Sequence, residues 1–317
     1  MKVLVTDRIF KEGLDILDKA HVEVDIKLGL KPEELKGIIG NYDALIVRSQ
    51  TKVTAEVIKA GRKLRVVARA GTGVDNIDVN EATREGILVV NAPTANTIAV
   101  VEHVFGLMLA LIRHIPQANN KLMSGVWGKS EFMGTELKGK TLGIIGLGKI
   151  GAELAKRAQA FEMKVITYSP SIPSERAAKL GVKLMSLEEL LKEADFISLH
   201  TKMAPGKRGM IGKKELALVK PTARIVNCAR GGLIDEKAMA KALKKNKIAG
   251  VAVDVYSEEP TTDCVLFECT NIISTPHLAA FTTEAHTAAA ICVTEQIIDV
   301  FNGKPPKYQV NTPSVRK

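Results

Sequence analysis

Short apolar runs rich in β-branched residues recur along this chain, separated by amphipathic stretches. In the first part they are KVLVTD (2–7), VEVDI (22–26), DALIVRS (43–49), LRVVARAG (64–71) and ILVVN (87–91). Helical patterns such as GLDILDKA and TAEVIKAG lie between them, the latter stopped by Gly61. From Thr141 a second series begins: TLGIIG, KVITYS, DFISLHT, ARIVNCAR, IAGVAVDV and NIISTP. Each run of this second series is continuously apolar, as a strand covered on both faces must be, and that is the condition of a parallel sheet. Parallel neighbours need crossover connections, and the amphipathic stretches supply them. The pattern therefore predicts an α/β protein with two doubly wound parallel sheets.

A long apolar helix, from about 97 to 118 with Pro116 near its end, stands between the two series. A final helical pattern, TTEAHTAAAICVTEQIIDVFNG (282–303), follows the second. The economical arrangement returns this last helix to the first sheet. Residues 1–97 and 285–317 then form one domain, and residues 98–284 form a second domain inserted in it. A length of 317 residues suits two domains of about 150 each. Aromatics make up only 4%, so both cores have to be aliphatic.

Lys and Arg exceed Asp and Glu by 45 − 35 = 10, but the basic residues are spread out. The densest run, KALKKNK (241–247), reads as the solvated end of a surface helix. No basic stripe is interleaved with aromatics, so no nucleic-acid partner is expected. The charge suits an anionic substrate and cofactor. Cys228, Cys264, Cys269 and Cys292 include no CxxC pair. They predict neither a disulfide framework nor a metal site, but small buried residues in a reducing cytoplasm. MKVLVTDRIF is too short an apolar run for a signal peptide. IAVVEHVFGLMLALI (98–112) is short for a bilayer and carries Glu102 and His103, so it reads as a buried helix and no membrane is expected.

LGIIGLGKIGAELAK places Gly146, Gly148 and Gly151 in GxGxxG spacing between an apolar strand and a helical pattern. In that context the spacing marks a dinucleotide-binding turn. Gly146 permits the tight turn, Gly148 the approach of the pyrophosphate, and Gly151 close helix–strand packing. The backbone of Lys149 and Ile150 opens the helix toward the anion. AGTGVDN (70–76) is a decoy, with Asn76 where a third glycine would stand.

Hydride chemistry at a carbonyl needs an acid/base, for which histidine is suited, and a fork of donors for a carboxylate, which arginine provides. Such sites form beyond the C-terminal strand ends. Arg230, Asp254 and His277 lie at or near such ends, with Glu258 and Glu259 just beyond one. His200 also ends a strand, so position alone leaves His200 open as an alternative to His277. His21 reads as surface, and His103, His114 and His286 as structural residues on or beside helices.

RAGTGVDNID, FMGTELKGKTLGIIGLGKIG, VNCARGG, DVYSEEP and STPH, in that order over almost the whole chain, resemble the D-isomer-specific 2-hydroxyacid dehydrogenases. The resemblance implies an NAD-dependent oxidoreductase with a Rossmann cofactor domain inserted in a flavodoxin-like substrate domain, and a homodimer built around the cofactor domain. The implied catalytic residues are Arg230 (clamping the carboxylate and polarising the keto oxygen), His277 (exchanging the proton) and Glu259 (orienting His277 and favouring its charged form). The cofactor contacts implied beside the glycine turn are Thr72, Ser169, Thr201, the Cys228–Ala229–Arg230 turn, Asp254 at the nicotinamide carboxamide, His277 and Ala279. Arg48, Ser49 and the backbone near Gly73 would meet the substrate along with Arg230 and His277. Arg48 and Arg69 are the candidates for a phosphate on it, since the nearest family members oxidise a phosphorylated 2-hydroxy acid at the entry to serine synthesis. Glyoxylate, hydroxypyruvate or D-lactate remain alternative acids, and a dinucleotide-sensing corepressor a reading of another class.

Three departures stand out. Ala279 and Phe281 replace a usual glycine and serine in a loop expected to cover the nicotinamide, and Lys202–Met203 replace a usual Pro-Leu. Ser169 stands where the family has an aspartate that binds the adenosine ribose and repels a 2′-phosphate. NAD with weakened discrimination is expected, leaving NADP open. Many relatives carry a C-terminal domain that senses serine, and with the sequence stopping at NTPSVRK no such control is expected.

Overall fold

The computed structural model describes residues 1–313; the last four of the stretch assigned to the first domain, 314–317, lie outside the described residues. In chain order the structure begins β1 (Lys2–Val5), α1 (Lys11–Lys19), β2 (Glu23–Ile26), α2 (Pro32–Ile38), β3 (Ala44–Val47), α3 (Ala55–Ala60), β4 (Val66–Arg69), α4 (Val79–Arg84) and β5 (Leu88–Asn91). It continues with α5 (Thr97–Arg113), α6 (Ile115–Met123), β6 (Thr141–Ile145), α7 (Lys149–Ala160), β7 (Lys164–Tyr168), α8 (Ser174–Lys179), β8 (Lys183–Leu184), α9 (Leu187–Glu193) and β9 (Phe196–Leu199). Then come α10 (Lys213–Leu216), β10 (Arg224–Asn227), α11 (Glu236–Lys244), β11 (Gly250–Val253), β12 (Ile272–Ser274) and α12 (Thr283–Phe301). Two compact units result. The first is Met1–Thr97 with the chain from Ala280 onward, and the second is Ile98–Ala279.

The first unit holds a parallel sheet of order β2-β1-β3-β4-β5. Side chains alternate between its two faces, and both faces are covered. Val3, Val5, Ile46, Val66 and Val90 pack on Leu17 of α1 and on Ala289, Val293 and Ile297 of α12. Leu4, Leu45, Val67 and Val89 point the other way, onto Leu35, Val57, Ile58 and Ala82 of α2 to α4. Burying each large aliphatic chain contributes about 1.5–3 kcal/mol, so the two-faced core accounts for the runs read from sequence. Gly13 lets α1 lie against α12, because a Cβ there would stand 2.9 Å from that of Ala290. The edge of β5 is covered by the C-terminal segment: Val310 N–H donates to Val89, and the Asn311 amide bridges Val89 N and Ile87 O.

The second unit holds a seven-stranded parallel sheet, β12-β11-β10-β9-β6-β7-β8. The order reverses between β6 and β9, and loops leaving the two strands there diverge and open a crevice. β8, with two residues, was too short for periodicity to reveal.

The helix expected from about 97 to 118 is corrected to two. α5 ends at Arg113, His114 adopts a left-handed conformation (φ 53°), and α6 leaves at a bend of 62° with Pro116 in its first turn. Pro116 has no N–H to offer the Ile112 carbonyl four residues earlier, and that carbonyl accepts instead from Thr135 N at 3.1 Å. Among the described residues no single helix is long and apolar enough to cross a membrane.

Candidate active site

Because the second sheet is parallel, the loops after β6, β7, β9, β10, β11 and β12 all leave from one edge. The glycine turn comes first. Gly146 has φ 103°, and a Cβ on it would lie 2.7 Å from the His200 carbonyl oxygen. A Cβ on Gly151 would lie 2.2 Å from the Gly146 oxygen, so α7 can start against the strand only without a side chain. Gly148 differs: nothing lies within 4 Å of where its Cβ would be. It opens on free space in front of α7, whose N-terminus has no side-chain cap. The N-terminus of a twelve-residue helix without a side-chain cap, fronted by open space, fits the pyrophosphate of a dinucleotide.

Ser169, at the end of β7, is buried, and its Oγ accepts from Leu147 N at 3.1 Å. Its hydroxyl thus braces the glycine turn itself. Thr201 accepts a hydrogen bond from Lys207 Nζ. The CARGG turn after β10 is shaped by Asn227, which accepts from Ala229 N and donates to Arg230 O. The Arg230 guanidinium is bonded to the Ala229 carbonyl at 2.7 Å. Gly231 is obligatory here, since its Cβ would fall 1.6 Å from the Tyr256 carbonyl oxygen.

His277 Nδ1 lies 2.6 Å from Glu259 Oε2, and the other Glu259 oxygen accepts from Tyr256 N at 2.9 Å. The Glu259 hydrogen bond raises the His277 pKa above its ordinary value, against partial burial, with the charge of Asp254 adding to the rise and that of Arg230 opposing it. For Glu259 burial alone would push the carboxyl up, but the imidazole and the Tyr256 amide hold it below the usual range. A carboxylate facing a protonatable ring is thus in place. His200 differs in every respect. Its Nε2 is bonded to Ser198 Oγ at 2.8 Å, and burial pushes its pKa down to about 4.

His277 sits at φ 57°, a conformation that costs a non-glycine residue about 1 kcal/mol or more. Asp254, fully buried, holds it there. Leu278 N and Ala279 N donate to its two carboxylate oxygens at 2.7 and 2.8 Å, and the Thr275 hydroxyl donates at 2.6 Å. His103 on α5 completes the network, with Nε2 3.1 Å from Thr275 Oγ1 and 3.5 Å from Asp254 Oδ1. The buried Asp254 is therefore first the anchor of the loop that carries His277, and Ala279 joins that loop through its backbone. His103, Cys228 and Asp254 do bring three ligand-type atoms within 4.8 Å. Burial and the Asp254 charge raise the Cys228 thiol well above its ordinary value, and the carboxylate is already bonded, so the group reads as a hydrogen-bond network.

The first unit places the remaining candidates around the ends of β3 and β4. Asp7 organises the loop after β3 by accepting from the backbone of Arg48, Gln50 and Thr51 and from the Thr51 hydroxyl. Asn76 donates to the Arg48 and Thr51 carbonyls. Ser49 is exposed. The Arg69 guanidinium lies over Gly71, where a Cβ would overlap it at 1.5 Å, so the AGTGVDN glycine serves the arginine and not a helix start. Gly73 follows in the same partly exposed loop. The Thr72 hydroxyl bonds to Asn96 Oδ1 at 2.8 Å within this unit. Sequence reasoning missed Asp7, His103, Thr275 and His286. Each contacts its site through partners far apart in the chain, and only an Asp at the end of β1 carried a local hint.

A family model described as "D-isomer specific 2-hydroxyacid dehydrogenase, NAD binding domain" matches residues 105–279. The chain is 51% identical over 316 residues to a D-3-phosphoglycerate dehydrogenase of Methanocaldococcus jannaschii and 49% identical over 314 residues to one of Synechocystis sp.. These alignments cover 99% of this chain but 60% and 56% of the relatives, so it spans a little over half their length. The crystal structure of the TT0316 protein from Thermus thermophilus matches with a TM-score of 0.91 at 32% identity, over 98% of this chain and 100% of that one. On these matches the chain belongs to the D-isomer specific 2-hydroxyacid dehydrogenase family.

Proposed function

We propose that this chain acts as a D-3-phosphoglycerate dehydrogenase, interconverting 3-phosphoglycerate and 3-phosphohydroxypyruvate with NAD. The observation that carries the dehydrogenase chemistry is the 2.6 Å His277–Glu259 pair, with its raised imidazole pKa. When bound, the dinucleotide supplies or takes the hydride. Arg230 binds the carboxylate and draws charge from the keto oxygen. His277 delivers the proton to that oxygen in reduction and removes it in oxidation, and Glu259 holds the charged ring. Arg48 and Arg69 take the phosphate. High identity to proteins named for this substrate supports the choice. Phe281, packed edge-on against His286 at 4.8 Å beside Arg48, supports a second reading, a reductase of unphosphorylated acids such as glyoxylate or hydroxypyruvate.

The open space at Gly148 supports a nicotinamide dinucleotide, and we take NAD as its form, with NADP open because Ser169 carries no charge against a 2′-phosphate. The exposed apolar side chains of Ile115, Leu122, Met123, Trp127 and Met133 support a homodimer. Four free cysteines suit the cytoplasm. The test is a kinetic panel of 2-keto acids with NADH and with NADPH. A kcat/KM for 3-phosphohydroxypyruvate well above those for the unphosphorylated acids is expected, and the reverse order would replace this reading with the second.

A further inference from the structure

The Arg48 side chain is held in an unusual way. Its Nη2 lies 2.6 Å from His286 Nε2, near the start of α12. A guanidinium has only donors, so His286 Nε2 has to be the acceptor and the ring neutral, with its proton on Nδ1. Burial and the Arg48 charge push the His286 pKa down to about 4, which agrees with that form. Phe10 and Phe281 set the ring's orientation, edge-on at centroid distances of 5.6 and 4.8 Å. Asp7 is the carboxylate that acts on Arg48, and its oxygens are occupied by the Arg48, Gln50 and Thr51 amides and the Thr51 hydroxyl. Among the described residues no carboxylate forms an ion pair with the guanidinium.

The choice of partner matters physically. A carboxylate would fix the fork and cancel its charge. A neutral imidazole fixes the fork, leaves the charge intact, and leaves the other N–H donors for a planar or tetrahedral anion. We propose that His286 is the positioning residue of an anion-recognition corner in the first unit, aiming the Arg48 guanidinium at the phosphate group of the substrate. The inference rests on the phosphorylated-substrate reading for the identity of that anion, and the neutral tether is new to it.

The test uses the full chain with His286→Ala, His286→Gln and His286→Glu, assayed with NADH on 3-phosphohydroxypyruvate and on hydroxypyruvate. His286→Ala should raise KM for the phosphorylated acid about tenfold, the equivalent of ~1.4 kcal/mol, while kcat falls less than about twofold. His286→Gln keeps a neutral acceptor and should recover most of the loss. His286→Glu should raise KM further, because its carboxylate neutralises Arg48. KM for hydroxypyruvate should stay nearly constant throughout. A Gln variant as poor as the Ala variant, or equal changes for both acids, would reduce the ring to packing and overturn the proposal. A second readout is the ¹⁵N signal of the Arg48 side chain during titration with inorganic phosphate. It should shift in the unsubstituted protein and stay still in His286→Glu; no shift in the unsubstituted protein also overturns the proposal. If 3-phosphohydroxypyruvate is simply not turned over, the function reading fails, while the phosphate titration still decides the role of His286.

Discussion

Glu259→Gln isolates the electrostatics of the candidate acid/base. Glutamine keeps the shape and can still accept from Tyr256 N, so the loop should survive. What is lost is the negative charge 2.6 Å from His277 Nδ1. A charge-assisted hydrogen bond contributes about 1.5–3 kcal/mol. The His277 and Glu259 side chains are 53% and 33% exposed, and water screens such a pair to just under that range: about 1.4 kcal/mol, or tenfold in the population of charged imidazole. Reduction of the keto acid needs the protonated ring. Because Glu259 raises the His277 pKa, the ring stays protonated to higher pH, and the falling limb of the reduction profile lies above the ordinary 6.5. Removing the cause moves that limb to lower pH. At about pH 8 the variant should reduce substrate about tenfold more slowly, with a much smaller loss below pH 6.5 and KM for NADH within about twofold. Glu259 itself is held below the usual carboxylate range and contributes no limb near neutral pH. Steady-state NADH consumption across pH provides the assay. A uniform loss at every pH, with the limb unmoved, would refute the electrostatic role and leave Glu259 a packing residue.

Three further outcomes are expected. Gly146→Ala forces a Cβ to within 2.7 Å of the His200 oxygen at φ 103° and should cost about 1–3 kcal/mol, lowering Tm by several degrees and abolishing NADH fluorescence titration; an unchanged Tm would mean the turn relaxes freely. Ser169→Asp should raise the NAD over NADP preference in kcat/KM by about tenfold or more, and an unchanged ratio would show that the end of β7 does not face the ribose. Asp254→Asn turns an acceptor into a donor against Leu278 N or Ala279 N, at a cost of about 1–3 kcal/mol. Hydrogen exchange at those two amides should quicken, and the reduction limb should move to lower pH because the Asp254 charge also raises the His277 pKa.

The sequence determined a good deal of this protein by itself. Continuous apolar runs separated by amphipathic stretches can bury both strand faces only in a parallel sheet, so both sheets were readable from the chain alone. Gly146 and Gly151 were legible because close backbone approach leaves a fixed spacing of residues without side chains, whereas the need for glycine at 231 came only from the fold. Arg230, Glu259 and His277 stood out as candidates because motif and strand-end position coincide. Tertiary structure decided what depends on partners distant in the chain. Thr135 takes the carbonyl that Pro116 leaves free, which turns one expected helix into two. His200 and His277 both follow strands, but only His277 meets a carboxylate. His286, which reads as an ordinary helical residue, is placed on an arginine 238 positions away. Periodicity records which face of an element is buried. It carries no record of which polar group, brought in from another strand end, will meet a given side chain, and that pairing sets charge, tautomer and pKa.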